Sequence, residues 1–138
     1  MKQLVVDAWA LLALLQGEEP AASQVRIFLE QAQGQQLNLF ISLINLGEVF
    51  YRIGKVKGEV EAEKTLAEIR RLAIMIVPVT EQRVFKAASL KIRYPISYAD
   101  AFAIATADEV GAPLVTGDPE LVSLRNVFQL EPLSRYKR

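Results

Sequence analysis

Short, mainly apolar runs alternate along this chain with longer stretches whose apolar residues recur every three or four positions. The runs are Leu4-Val5-Val6, Leu37 to Ile41, Ala73 to Val79, Leu114-Val115 and Val127 to Leu130. An unbroken apolar run points to a strand covered on both faces, as strands of parallel sheets are. The stretches between read as helices. One spans Ala8 to Leu15. A second carries Val25, Phe28, Leu29 and Ala32 and stops at Gly34. A third, capped by Ser42, spans Leu43 to Ile53 and ends at Gly54. A charged helix follows from Val60 to Leu72, then one from Glu81 to Arg93, one opened by Ser97 and running to Val110, and a brief one after Asp118-Pro119. Strands separated by helices predict one α/β/α domain built on a parallel sheet of four or five strands. At 138 residues the whole chain, 1–138, fits a single domain.

The composition removes most catalytic chemistries. There is no cysteine and no histidine. Disulfides, thiol nucleophiles, Ser-His-Asp triads and Cys- or His-ligated zinc are therefore excluded. An enzyme written in this alphabet must use carboxylates, lysine, tyrosine, hydroxyls or a bound hard cation. Sixteen basic and sixteen acidic residues cancel, so no global positive field advertises a nucleic-acid partner. The apolar opening, Leu4 to Leu15, is interrupted by Asp7 and followed by Gly17-Glu18-Glu19 rather than a small-residue cleavage site. It is expected to be mature, folded protein. No run reaches the length of a membrane span, and a cytoplasmic location is expected.

Ligands bind on open parallel sheets outside the carboxyl ends of the strands; two acids stand at such ends, and two more lie on helices that could bring them to the same crevice. Asp7 directly follows the first strand, and Asp118 follows Leu114-Val115-Thr116-Gly117. Glu48 lies inside an apolar helix among Leu46, Val49, Phe50 and Tyr51, and Asp100 lies in the first turn of the helix opened by Ser97. Each has a plain structural alternative. Asp7 and Asp118 can be helix caps, the latter ahead of Pro119. Asp100 can complete a capping box with Ser97, and Glu48 can pair with Arg52 one turn on. The argument for a site rests on the set. Four carboxylates converging without a cation repel one another and raise each other's pKa. A divalent metal reverses that sign, and oxygen-only ligands suit Mg²⁺ or Mn²⁺.

Val5-Val6-Asp7-Ala8, Ile44-Asn45-Leu46-Gly47-Glu48-Val49, Ser97-Tyr98-Ala99-Asp100-Ala101-Phe102-Ala103-Ile104-Ala105 and Leu114-Val115-Thr116-Gly117-Asp118 occur in this order. In order and spacing they resemble the PIN-domain ribonucleases, most of all the toxin half of VapBC-type toxin–antitoxin pairs. The resemblance covers nearly the whole chain. It implies a three-layer α/β/α PIN-like fold and Mg²⁺- or Mn²⁺-dependent endonucleolytic hydrolysis of RNA by metal-activated water. It also implies a homodimer and a small antitoxin partner. By position it assigns Asp7, Glu48, Asp100 and Asp118 to the acidic, metal-holding cluster. Thr116 matches the family's hydroxyl residue two before the last acid, expected to orient a carboxylate or a bound water; an ordinary strand end is the alternative. Asn45 reads as helix-start chemistry, with the acidic pocket as its alternative. Pro119 and Leu121 depart from the polar residue and aromatic that many relatives carry, which weakens the fourth acid.

The remaining features have double readings. Arg52, Lys55 and Lys57 can grip phosphates or simply favour a helix C-terminus. The tail Arg135 to Arg138 can do the former or be a solvated end. Trp9 and Tyr98 can stack on bases or serve the core. Asp108 reads as solvated. Val84, Phe85, Ala88 and Ile92 share a helix face that either packs on the sheet or joins a dimer seam. Two other functions compete: a non-catalytic binding module with the same fold, and a housekeeping RNA-processing nuclease without antitoxin. A phosphoacceptor receiver domain lacks support, since no paired acid and lysine stand near a strand end.

Overall fold

The computed structural model describes residues 1–134; the basic tail Arg135 to Arg138 lies outside the described residues. Five strands, β1 (Lys2–Val6), β2 (Leu37–Ser42), β3 (Met75–Val77), β4 (Leu114–Thr116) and β5 (Leu130–Pro132), form one sheet in the order β3-β2-β1-β4-β5. Every pairing is parallel. Seven helices connect and cover them: α1 (Ala8–Gln16), α2 (Ala21–Gln33), α3 (Leu43–Lys57), α4 (Glu59–Arg70), α5 (Glu81–Arg93), α6 (Tyr98–Val110) and α7 (Pro119–Val122).

The apolar runs explain the three layers. Successive side chains of a strand point to opposite faces. Leu4 and Val6 of β1, Leu37, Leu39 and Ile41 of β2, and Val115 of β4 join a core with α1, α2, α3 and α4. Val5 of β1 and Leu114 of β4 face the other way, into a core with α5, α6 and Leu121 of α7, and Phe40 of β2 packs against it. Val5 and Val6 are both fully buried, on opposite faces, which is why the run shows no polar alternation.

The chain leaves β1 for β2 and β3 on one side, then returns for β4 and β5 on the other. The order therefore switches direction between β1 and β4. Connections that depart to opposite sides open a crevice at the carboxyl ends of those two strands.

Two expectations are corrected. Gly54 does not end α3. A Cβ there would make an ordinary contact with Cβ of Ala62 at 3.6 Å, so Gly54 lies inside α3 where it packs on α4. The helix runs on to Lys57 and stops at Gly58, whose φ of +92° suits glycine. The last strand is Leu130–Pro132, not Val127 to Leu130. The N–H groups of Val127 and Phe128 are spent on the carbonyl of Leu124 at 2.8 and 3.0 Å, leaving Leu130 to register with Leu114. Pro132 is tolerated because β5 is an edge strand. On α5 the core stripe is Ala87 and Leu90 with Val84 against it, whereas Phe85 and Ile92 are exposed.

Candidate active site

The switch in strand order brings Asp7 and Thr116 together. Asp7 follows β1, and its N–H continues the ladder to the carbonyl of Val115 at 3.4 Å. Its side chain is then fixed twice. One carboxylate oxygen accepts from the N–H of Ala10 at 2.9 Å, capping α1. The other accepts from the hydroxyl of Thr116. The same Thr116 oxygen accepts the N–H of Asp118 at 3.1 Å. One fully buried hydroxyl thus sets the position of two acids. Asp118 in turn caps α7, accepting the N–H of Glu120 at 3.0 Å.

The other two acids arrive on helices. Ser42 caps α3 through the N–H of Ile44, and that helix carries Glu48. Ser97 caps α6 by accepting the N–H of Asp100 at 3.1 Å. Asn45 links the two helices: its amide donates to the carbonyl of Ala99 at 3.1 Å, while its own oxygen has no partner among the described residues. Asn45 is therefore neither a helix-start cap nor a cavity residue. It is a buried tie between the carriers of Glu48 and Asp100.

Asp7, Glu48, Asp100 and Asp118 all line one cavity of about 720 Å³ at the crevice, with Trp9, Arg52 and Lys55 also on its walls. The structural alternatives hold alongside this convergence. Asp7 and Asp118 are caps, and Glu48 does pair with Arg52, at 3.2 Å. Capping uses one oxygen of Asp118. Asp100, Asp118 and Glu120 each place a carboxylate oxygen within 4.8 Å of the others. Glu120 was not singled out from the sequence. Its signal was the spacing Asp118-Pro119-Glu120, but an acid in a first helical turn reads as an ordinary dipole partner.

The electrostatics of the cavity are unfavourable to bare carboxylates. Burial pushes Asp7 up to about 7, with Asp100 and Asp118 adding to the rise and the bonds from Thr116 and Ala10 opposing it. Burial likewise pushes Asp100 up to about 6, followed by the charge of Asp118, with smaller contributions from Glu48 and Glu120 against a bond from Ser97. The donor set consists only of oxygens, of which two belong to acids strained toward neutrality. It fits a hard divalent cation, which relieves burial and repulsion together.

Gly117 completes the wall. A Cβ at this position would meet the six-membered ring of Trp9 at 2.3 Å, so the indole lies flat against the turn between Thr116 and Asp118. Tyr98, by contrast, stacks on Phe102 with ring centroids 5.5 Å apart, outside this cavity. Asp108 is on the surface and pairs with Lys86.

Comparison with known proteins agrees with this architecture. The PIN domain profile matches residues 4–127. No curated protein matches the chain. Among solved structures, a toxin–antitoxin complex from Klebsiella pneumoniae superposes with a TM-score of 0.69 at 18% identity, covering 96% of this chain and 99% of that one. DNA-bound VapBC from Salmonella typhimurium gives 0.71 at 13% identity, over 96% and 98%. The Sarcin-Ricin loop cleaving toxin VapC20 of Mycobacterium tuberculosis gives 0.68 at 19% identity, over 91% and 95%. At such identities the likeness is one of fold. With the profile spanning all four acidic segments, the chain belongs to the PIN-domain family.

Proposed function

We propose that this protein is a metal-dependent endoribonuclease, the toxin of a toxin–antitoxin pair. The observation that carries the reading is the convergence of Asp7, Glu48, Asp100 and Asp118, from four distant segments, on one cavity at the switch in strand order. Asp7 and Asp100 would hold the principal ion, and Glu48 and Asp118 would complete its shell, with Glu120 beside them. When bound, a Mg²⁺ or Mn²⁺ ion polarises the phosphoryl oxygen, activates water and offsets charge on the leaving oxygen. The chain's own part is positioning. Thr116 holds Asp7 and Asp118 at a fixed separation, and Asn45 holds the helix of Glu48 to that of Asp100. Water attacks phosphorus in line as the P–O3′ bond breaks; a carboxylate of the set takes the water's proton, and the departing O3′ takes one from solvent water. The ends left are a 5′-phosphate and a 3′-hydroxyl.

The toxin assignment is supported by neighbours that are toxin–antitoxin assemblies over almost their full length. A small antitoxin and a homodimer are expected on the same ground. Among the described residues no helix is long and apolar enough to cross a membrane.

Two experiments test the reading. Purified protein is expected to cleave single-stranded RNA with Mg²⁺ or Mn²⁺, and to lose that activity with EDTA or on Asp100→Asn. Undiminished cleavage by the chelated or substituted protein overturns the assignment. Production of the chain alone is expected to arrest growth; normal growth with active enzyme favours the housekeeping nuclease. Thr116→Val keeps shape but removes both hydrogen bonds of the hydroxyl. Its cleavage rate is expected to fall about 10–100-fold, the usual size for a residue that orients a metal ligand, with Thr116→Ser restoring most of it. Equal rates for all three side chains would leave Thr116 a plain strand end.

A further inference from the structure

Arg52 faces the acids. Its Nε and one Nη donate to the same oxygen of Glu48, at 3.3 and 3.2 Å. Glutamate and arginine four residues apart commonly pair on solvent-facing helices. This pair differs in its direction: both partners line the cavity that holds Asp7, Asp100 and Asp118. Both also line the adjoining cleft with Glu120. Among the described residues Arg52 is the only cationic group in an ion pair with any of these five acids. An ion that binds through the oxygen of Glu48 that Arg52 occupies must displace the guanidinium.

We propose that Arg52 is a resident counter-ion for Glu48 that a divalent cation displaces, and that the released guanidinium, with Lys55, then binds a substrate phosphate. The inference rests on the nuclease reading above. The exchange is easy because the pair is weak: the arginine side chain is 54% exposed, and exposed pairs are screened by water. The released group has a place to go. Lys55 is one turn along α3 on the same cavity wall, and the exposed ring of Tyr51 lies 5.7 Å from the guanidinium carbon. A guanidinium matches phosphate in two parallel hydrogen bonds, and one released from a carboxylate meets the phosphate with its full charge. Metal and RNA then bind cooperatively. Each removes Arg52 from Glu48 for the other, and the coupling is reciprocal.

Calorimetric titration with Mn²⁺, without RNA, gives the first readout. Arg52→Gln is expected to tighten Mn²⁺ binding about two- to fivefold, the scale of an exposed ion pair. Lys55→Gln removes the same charge without touching Glu48 and is expected to tighten it by less than half as much. In a Glu48→Gln background the two substitutions become equal. The second readout is the salt dependence of binding to a phosphorothioate RNA oligonucleotide. With Mn²⁺ present, Arg52→Gln is expected to flatten the log–log slope by about 0.7, one phosphate contact on a single strand. Without metal, where binding must first free Arg52 from Glu48, the flattening is expected to be smaller. Equal Mn²⁺ affinities for Arg52→Gln and Lys55→Gln overturn the proposal, as does the same flattening with and without metal. Wild-type protein that takes up no Mn²⁺ at millimolar concentration removes the nuclease reading as well. Normal uptake without tightening removes the counter-ion alone.

Discussion

Asp7→Asn is expected to abolish most RNA cleavage while making the metal-free protein more stable. The two effects have one cause. Asp7 is 2% exposed, its carboxylate is buried, and its pKa stands at about 7. Asparagine has nearly the same shape and keeps an oxygen for the N–H of Ala10, so the cap on α1 survives. What disappears is the buried charge. Without it the site loses a metal ligand, and a contribution of several kcal/mol to charge stabilisation corresponds to a fall of about 10²–10³-fold in rate. The fold, relieved of a carboxylate with no cationic partner, gains a few kcal/mol at pH 8. The measurements are single-turnover cleavage and thermal melting of the same preparation, the latter in EDTA. If Asp7 were only a helix cap, the variant would lose little activity and gain no stability. Loss of both together would make it a plain structural residue.

The metal-free wild-type protein is expected to lose stability as pH rises from 5 to 8, and millimolar Mn²⁺ is expected to restore it. In the unfolded chain an aspartate titrates near 3.9, whereas Asp7 titrates at about 7 and Asp100 at about 6 in the folded protein. Between these limits the folded state binds more protons than the unfolded state. Stability is therefore fully present below pH 4 as far as these groups are concerned, and falls as pH climbs through 6 and 7. For Asp7 alone the loss between pH 5 and pH 8 is about 3 kcal/mol, enough to move the melting temperature of a domain this size by roughly 10 °C. A cation that binds the ionised acids adds stability in proportion to its concentration over its dissociation constant, and does so most where protons are scarce. Melting curves at pH 5 and pH 8, with EDTA and with Mn²⁺, test this. The same melting temperature in all four conditions would mean that the acids neither repel in the folded state nor gather an ion. Asp7→Asn should remove most of the slope, which ties the effect to that residue.

These expectations depend on features that differ in how far the sequence revealed them. The strands β1, β2 and β4 were legible because burial on both faces leaves an apolar run with no competing pattern. Capping at Ser42, Ser97 and Asp118 was legible because it is local chemistry, settled within three residues. The errors fall where distant contact overrides local preference. Gly54 looks like a stop signal, yet α3 continues through it to Lys57 where it packs on α4. The apolar face of Phe85 and Ile92 was readable, but not that α5 buries Ala87 and Leu90 against the core. The pair of Glu48 and Arg52 was readable as an i,i+4 pair, but its direction into the acidic cavity was not, because rotation of a helix about its axis is set by what it packs against.

The sequence alone determined the chemistry available to this protein. With no histidine and no cysteine, catalysis was left to carboxylates, lysine, tyrosine, hydroxyls or a bound hard cation, and the placement of the acids pointed to carboxylates around a cation. It also determined the layer architecture, since that follows from the periods of apolar residues. Only the tertiary structure decided which acids meet, that Glu120 joins them, and that Thr116 and Asn45 hold them in place. The reason is physical: propensity and periodicity act over a turn or a strand, whereas the distance between residues 109 positions apart, such as Asp7 and Thr116, is fixed only when the strands carrying them are hydrogen-bonded side by side.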